Sequence, residues 1–223
     1  MITPLNYTVP IELLLKAATS IPSTEFKESI NQPSGNFFYE SWTVKPEFKD
    51  TVWDKILSTL PGELGEARII TLGYGCCYQS HADIDDRYHL NIASQYAYLI
   101  NLQTDTMHPL STDGIWYEMN AGSRHSAANF GYINRVQLVV RKLLTRNKLI
   151  DPIKIKMYYA GKDKDSVRFM FDDVLSPWLN KSNKRRIITN FSHEHNDVRF
   201  EIEKENLIEL KNLLPEDFEL EIL

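Results

Sequence analysis

Between Ala67 and about Leu144 the chain is a succession of short runs rich in Ile, Val and Tyr (ARIITL, YHLNI, QYAYLINL, GIWYEM, RVQLVVRKL), parted by clusters of Gly, Pro, Asn, Asp and Ser. Each run is too short for a typical three-turn helix, and β-branched and aromatic side chains favour a pleated surface. Closely spaced short strands with turn residues between them specify an antiparallel sandwich or barrel. The expected fold is therefore mainly β with flanking helices. Residues 9–19 (VPIELLLKAAT) and 46–59 (PEFKDTVWDKILST) carry apolar residues at helical spacing, and Pro46 suits a first helical turn, where its missing amide costs nothing. Two helices are expected before the sheet.

After TRNKLIDP (residues 145–152) the texture changes. KIKMYYA reads as a strand, DSVRFMFDDVLSPWL as a helix, RRIITNF and VRFEIE as a hairpin around SHEHND, ENLIELKNLL as a helix and FELEIL as a last strand. That order, strand, helix, strand, strand, helix, strand, belongs to a small α+β ferredoxin-like unit, for which roughly 70 residues suffice. Two domains are expected, 1–150 and 151–223. Acidic residues outnumber basic ones in the second, so KSNKRR at 181–186 is read as a solvated loop.

With 25 basic against 30 acidic side chains and a net charge of −5, the chain has no field that would hold a polyanion, which argues against nucleic acid as a partner. The apolar run IELLLKAA at 11–18 falls short of the roughly 20 residues of a membrane helix and lacks the basic flank and cleavage pattern of a signal peptide. A cytoplasmic location without membrane contact is expected. Cys76 and Cys77 are the only cysteines and are adjacent, so neither a disulfide framework nor a thiolate metal site is in prospect. Any metal would have to use nitrogen and oxygen ligands.

The stretch HADIDDRYHL, residues 81–90, supplies both. In extended backbone the one-residue spacing of His81 and Asp83 points both side chains to the same side. With six histidines and 30 acidic residues in 223, His-x-Asp/Glu should arise about once by chance, and it recurs at His195-Asn196-Asp197, on the tip of the expected hairpin where polar residues face water. The first copy has company. In RHSAANFGYINRVQLVVR (124–141), His125 precedes a turn containing Asn129 and Gly131, and Arg135 then opens an apolar strand. On that strand Arg135, Gln137 and Val139 share one face, and Val136, Leu138 and Val140 the other. An arginine entering a sheet needs an anion to justify its burial. Two histidines and one carboxylate leave three positions of an octahedral ferrous ion open, enough for a bidentate oxoacid and dioxygen.

His81-x-Asp83, His125 and Arg135 ten residues later resemble the pattern of the Fe(II)/2-oxoglutarate-dependent oxygenases, whose core is a double-stranded β-helix, or cupin-like jelly roll. More narrowly, RYHLNI at 87–92 with the His-to-Arg segment looks like the aspartyl/asparaginyl β-hydroxylase family, including its bacterial members that resemble proline hydroxylases. The resemblance spans roughly residues 70–141, about a third of the chain. It implies Fe(II) ligands at His81, Asp83 and His125, a salt bridge from Arg135 to the distal carboxylate of the co-substrate 2-oxoglutarate, and supporting contacts from Arg87 and His89. Arg87, His89 and Asn91 fall on one face of their strand, as those contacts require. Asp83 completes a triad that the best-known animal members lack, and EMNAGSRH stands where an acidic segment usually precedes the distal histidine.

The implied activity is hydroxylation of an amino-acid side chain, free or in a peptide, with release of succinate and CO2. A cupin-like metal protein that binds a ligand without turnover, and an interaction protein acting through its C-terminal unit, are the rival classes. For single residues the plainer readings are a surface ion pair of Arg87 with Asp85 or Asp86, and a satisfied core position for His89. Trp116, Tyr117, NFFYESW (36–42) and QTDTMHPLSTDG (103–114) could line a substrate pocket; for the aromatics the alternative is plain core.

Overall fold

The runs marked as strands divide between two facing sheets because the chain crosses from one to the other at nearly every turn. The computed structural model describes residues 2–21, 26–160, 174–194, 197–214, 216 and 218–223. In chain order the first half holds β1 (Ile2–Thr8), α1 (Ile11–Thr19), β2 (Lys27–Ser29), β3 (Asn31–Pro33), β4 (Trp42–Val44), α2 (Val52–Leu57) and β5 (Ala67–Leu72). There follow β6 (Arg87–Ala93), β7 (Ala97–Asn101), β8 (Thr106–Pro109), β9 (Ile115–Met119), β10 (His125–Asn129) and β11 (Arg135–Arg141). The larger sheet is six-stranded and antiparallel, in the order β1-β9-β6-β11-β5-β2. The smaller has the order β10-β7-β8 and is extended by bridges from Cys77 to Ala128 and from His81 to His125. Successive segments thus alternate between the sheets, which is the winding of a jelly roll.

The outer face of the larger sheet is apolar. Ala67 and Ile69 of β5, Leu90 and Ile92 of β6, Trp116 of β9 and Val136, Leu138 and Val140 of β11 pack with Leu14 and Ala17 of α1 and with Val52, Trp53, Ile56 and Leu57 of α2. With period-two alternation, burying that face turns Arg68, Arg87, His89, Asn91, Arg135 and Gln137 inward, toward the smaller sheet. A thin apolar seam of Ala97, Leu99, Leu110, Met119, Ala121 and Ala127 joins the two sheets.

The N-terminal region is richer in strands than its sequence suggested. Ile2–Thr8 forms the edge strand beside β9, since pairing there satisfies a backbone row that would otherwise end in open N–H and C=O groups. The expected helix over 46–59 is broken: Pro46–Phe48 make a single 3-10 turn, Asp50 takes φ 62°, its amide donates to Asp54 Oδ2 at 2.8 Å, and α2 starts only at Val52. QTDTMHPLSTDG is not all loop, since β8 lies within it.

The second half holds β12 (Pro152–Tyr159), α3 (Ser176–Lys184), β13 (Ile188–Glu194), β14 (Asp197–Glu203), α4 (Leu207–Leu213) and β15 (Phe218–Ile222). Its sheet is antiparallel throughout, in the order β13-β14-β12-β15. Most of the helix expected over DSVRFMFDDVLSPWL lies outside the described residues, as do His195 and Asn196 of the second His-x-Asp motif. KSNKRR is not a free loop, for α3 runs through Lys184, with Ser182 and Asn183 buried. Ile155, Met157, Trp178, Leu179, Phe191, Phe200 and Leu210 form a core that also takes in Tyr39 and Ile84 from the first half. The two halves are tied at Ile84–Asp86: Asn180 Nδ2 donates to Ile84 O at 2.9 Å, and Lys184 Nζ lies 2.8 Å from Asp86 Oδ2.

Leu138 is wholly buried at the centre of the first core, and its truncation to alanine is expected to cost about 2–5 kcal/mol, read as a lower urea midpoint at unchanged slope.

Candidate metal centre

His81 and His125 face each other across two reciprocal backbone hydrogen bonds, His81 N–H to His125 O at 2.9 Å and the reverse at 2.8 Å, which set the rings 4.4 Å apart. Each imidazole is held by its Nδ1, within 2.9 Å of Gln79 O for His81 and 2.8 Å of Ser123 O for His125. A carbonyl can only accept, so both Nδ1 atoms carry hydrogen and both Nε2 lone pairs are left free for a metal. Those Nε2 atoms lie 3.9 Å (His81) and 3.7 Å (His125) from Asp83 Oδ2. The three donor atoms sit within 4.8 Å of one another, a group that could hold a metal ion. Two imidazole nitrogens and one carboxylate on one side of an ion suit a ferrous centre with open positions.

Electrostatics prepares the trio for a cation. Burial alone would raise the Asp83 pKa, but Arg87, His81 and His125 hold it below the usual carboxylate value, so it is ionised. Arg87 Nη2 lies 2.6 Å from Asp83 Oδ1 and fixes the carboxylate from behind. Burial, then the neighbouring His81, push His125 down to about 4, which keeps its ring neutral and basic at physiological pH.

The trio opens onto a cavity of about 280 Å³ between the sheets, lined also by Lys27, Arg68, Arg87, His89, Arg135 and Gln137. Arg135 is 2% exposed, yet its Nε and Nη1 have no hydrogen-bond partner, and none of the ion pairs found among the described residues involves it. Its guanidinium lies 5.3 Å from the Tyr78 ring centroid and makes a side-chain hydrogen bond with Tyr78, contacts that do not neutralise its charge. A buried guanidinium without a counter-ion is costly, by several kcal/mol, unless an anion joins it. His89 is likewise buried with Nε2 unpaired, and burial followed by Arg87 and Arg135 lowers its pKa to about 3. Orphaned N–H groups and a neutral imidazole around one cavity fit a bound dianion at Arg135, beside a metal at His81, Asp83 and His125.

No family model matches the chain, and no curated protein matches it. Solved structures do. A 2OG-Fe(II) oxygenase family oxidoreductase from Burkholderia pseudomallei is 12% identical, with a TM-score of 0.41 and coverage of 63% of this chain and 82% of that one. A prolyl-4-hydroxylase from Pseudomonas putida is 11% identical, with a TM-score of 0.38 and coverage of 63% and 90%. A cupin domain from Bordetella pertussis Tohama I is 15% identical, with a TM-score of 0.32 and coverage of 37% and 84%.

All six residues singled out in the sequence, His81, Asp83, Arg87, His89, His125 and Arg135, line this one cavity. The aromatic candidates do not. Trp116 is fully buried in the outer core and donates to Thr59 Oγ1 at 2.8 Å, and neither 36–42 nor 103–114 contributes a lining residue. Arg87 is engaged by Asp83 and Asp85 rather than by a surface partner. Sequence reasoning missed Lys27, Arg68 and the Glu66–Arg141–Asp85 chain, although an arginine at the second place of ARIITL is the same signal that marks Arg135.

Two outcomes are expected. The unfolded chain takes up protons on His89 and His125 near pH 6.5 while the fold resists until about 3 and about 4. Metal-free protein should therefore lose up to about 1.4 kcal/mol per pH unit for each histidine as pH falls from about 6.5 towards 4, measured by urea melts across that range. Asp83, with its pKa held below the usual value, adds its own loss only below about pH 4. Separately, Mn(II) at about a hundredfold over its Kd should add about 2.7 kcal/mol of stability, and Asp83→Ala or His125→Ala should abolish that gain in a thermal-shift titration.

Proposed function

We propose that the protein is an Fe(II)- and 2-oxoglutarate-dependent dioxygenase that hydroxylates an amino-acid side chain, free or within a peptide. The observation that carries this reading is the buried guanidinium of Arg135, with its Nε and Nη1 unpaired and no carboxylate paired with it, in the same cavity as His81, Asp83 and His125. A metal trio alone would suit many barrels; a desolvated fork without a counter-ion asks for a dicarboxylate.

In this reading His81 Nε2, His125 Nε2 and an Asp83 carboxylate oxygen would hold the iron, and Arg135 would pair with the distal carboxylate of the oxoacid. When bound, Fe(II) and 2-oxoglutarate would supply the oxidising chemistry, dividing O2 between a hydroxyl on the substrate and succinate with release of CO2. What the chain itself does is positional. Arg87 keeps Asp83 charged and correctly turned, while the carbonyls of Gln79 and Ser123 lock the two imidazoles in the ligating tautomer. Leu99, Met119, Ala127 and Val139 give the cavity apolar walls that limit water. No side chain is needed as acid or base.

The second half is best read as a separate ferredoxin-like unit starting near residue 151. Its element order, its antiparallel strand order and a core built mainly from its own side chains support that division.

The test is iron-dependent succinate formation from 2-oxoglutarate, stimulated by amino acids or peptides and absent in His81→Ala and Asp83→Ala. Arg135→Lys keeps the charge but loses the fork. Its KM for 2-oxoglutarate should rise about ten- to a hundredfold, the loss of one or two charged hydrogen bonds. Iron binding without any oxoacid turnover would instead place the protein with the non-catalytic metal barrels.

A further inference from the structure

Three stretches of chain meet at the end of the barrel where β11 begins: residues 73–80 after β5, 93–98 around the turn from β6 to β7, and 128–134 around the turn from β10 to β11. Asn129, wholly buried, ties the first to the last. Its Nδ2 donates to Leu72 O at 3.0 Å and to Ile133 O at 2.8 Å, and its Oδ1 accepts from Gly131 N at 3.1 Å. Its backbone exchanges hydrogen bonds with Gly75 and Cys76. The middle stretch joins through Phe130 N, which donates to Tyr96 O at 3.0 Å, and Tyr132 N, which donates to Gln95 Oε1 at 3.3 Å. Residue 131 has to be glycine at this crossing, since a Cβ there would run into Gln95 O.

What this scaffold presents to solvent is apolar. Tyr132 is 84% exposed, Tyr74, Tyr96 and Phe130 are 61–68% exposed, and Ile133 is exposed beside them. The Phe130 ring lies 6.0 Å from that of Tyr98, which carries the surface onto the outer face of the smaller sheet. There Ala128 and Pro109 stand in register with Tyr98, and Met107 pairs with Ile100. Helices cover the outer face of the larger sheet, but no apolar core among the described residues takes in Tyr98, Ile100 or Met107. At about 200 Å² per ring, the four exposed aromatics alone offer roughly 550 Å², near the upper end of what a monomer leaves bare. Ile133, Met107 and the adjoining sheet face bring the patch to the scale of about 800 Å² that each partner buries in a stable complex.

Charge indicates the occupant. No Asp, Glu, Lys, Arg or His occurs in the three stretches, in a chain that is 25% charged. Across a two-fold axis a patch meets its own twin, so charges near the axis face their like, and a surface without charge escapes that repulsion. Tyrosine hydroxyls and side-chain amides both donate and accept, which lets them pair with their own copies. A foreign protein would find no charge here to steer it or to fix its register, and a lipid surface would find no basic flank. Because Asn129 already holds the loops in place, little ordering entropy opposes association.

We propose that this surface is a homodimer interface, in which two copies of the chain associate about a two-fold axis through Tyr74, Tyr96, Phe130 and Tyr132. Asn129 and His125 stand at opposite ends of β10, so the interface and the metal trio occupy different ends of that strand. The inference is independent of the reaction assigned to the cavity.

The test is sedimentation equilibrium of the full chain from about 0.1 to about 100 µM, in reducing buffer so that a disulfide through the exposed Cys76 or Cys77 is not the link. A species of twice the 25.9 kDa chain mass should dominate at micromolar concentrations. Tyr132→Glu and Phe130→Glu, which set like charges against each other across the axis, should each weaken dimerisation about tenfold or more. Leu15→Glu, at an equally exposed apolar position on α1, should leave it unchanged. Added NaCl should not weaken it, since no ion pair crosses the interface. Hydrogen–deuterium exchange on the unaltered chain gives a reading that needs no variant: residues 73–77, 94–96 and 130–133 should exchange more slowly as concentration rises. A chain still monomeric at about 100 µM overturns the proposal. So does a dimer that survives both glutamate variants, one that salt or Leu15→Glu disrupts, or protection confined to other segments. Binding of a wholly monomeric chain to neutral phosphatidylcholine vesicles would assign the patch to lipid and overturn it equally.

Discussion

The alternation along β5, β6 and β11 is the constraint from which the rest of the molecule follows. Each strand puts small and branched apolar side chains on its outer face, where α1 and α2 cover them, and each puts at least one ionisable or amide side chain on its inner face. A slip of one residue in any of the three would bury arginine against the helices and expose leucine to the cavity, so the register is fixed by both faces at once. The polar interior is therefore not a defect in a hydrophobic fold. It is the counterpart of an apolar exterior that lies under helices rather than under water.

Charge inside the cavity is arranged by degree of commitment. Arg141 and Arg87 are bound to carboxylates and serve as scaffold, one bracing Asp85 and the other Asp83. Arg135 has no carboxylate, and Arg68 only the remainder of one. A buried ion pair contributes little net stability, because desolvation offsets attraction, whereas a buried unpaired charge is a standing cost. The cost is tolerable here because the outer core is continuous and well packed, and the cations it supports are available to ligands.

Much of this was legible in the sequence, for reasons that differ by residue. Period-two alternation is a local property, so the inward set Arg87, His89, Asn91 and the set Arg135, Gln137, Val139 could be read from the strands alone. The meeting of His81 with His125 could not, since it depends on a bridge between segments 44 residues apart, and it was reached through the resemblance of the motif. Lys27 was invisible because β2 is three residues long and shows no periodicity. Whether Trp116 and the 36–42 aromatics lined a pocket or filled core could not be decided from sequence, because a side chain's chemistry says nothing about which face of a sheet it occupies. The break at Asp50 was hidden too, as a left-handed aspartate closed by the Asp54 carboxylate leaves helical spacing on both sides undisturbed.

A seam between the halves runs through Ile84 and Asp86, which flank Asp85 just after Asp83. Asn180 and Lys184 of α3 grip this short segment from one side while Arg87 and Arg141 grip it from the other. The second half thus acts as a splint on the loop that presents a carboxylate to the cavity. A strain applied to the outlying sheet is transmitted over a lever only a few residues long, and the aim of Asp83 is set from outside the barrel as well as from within it.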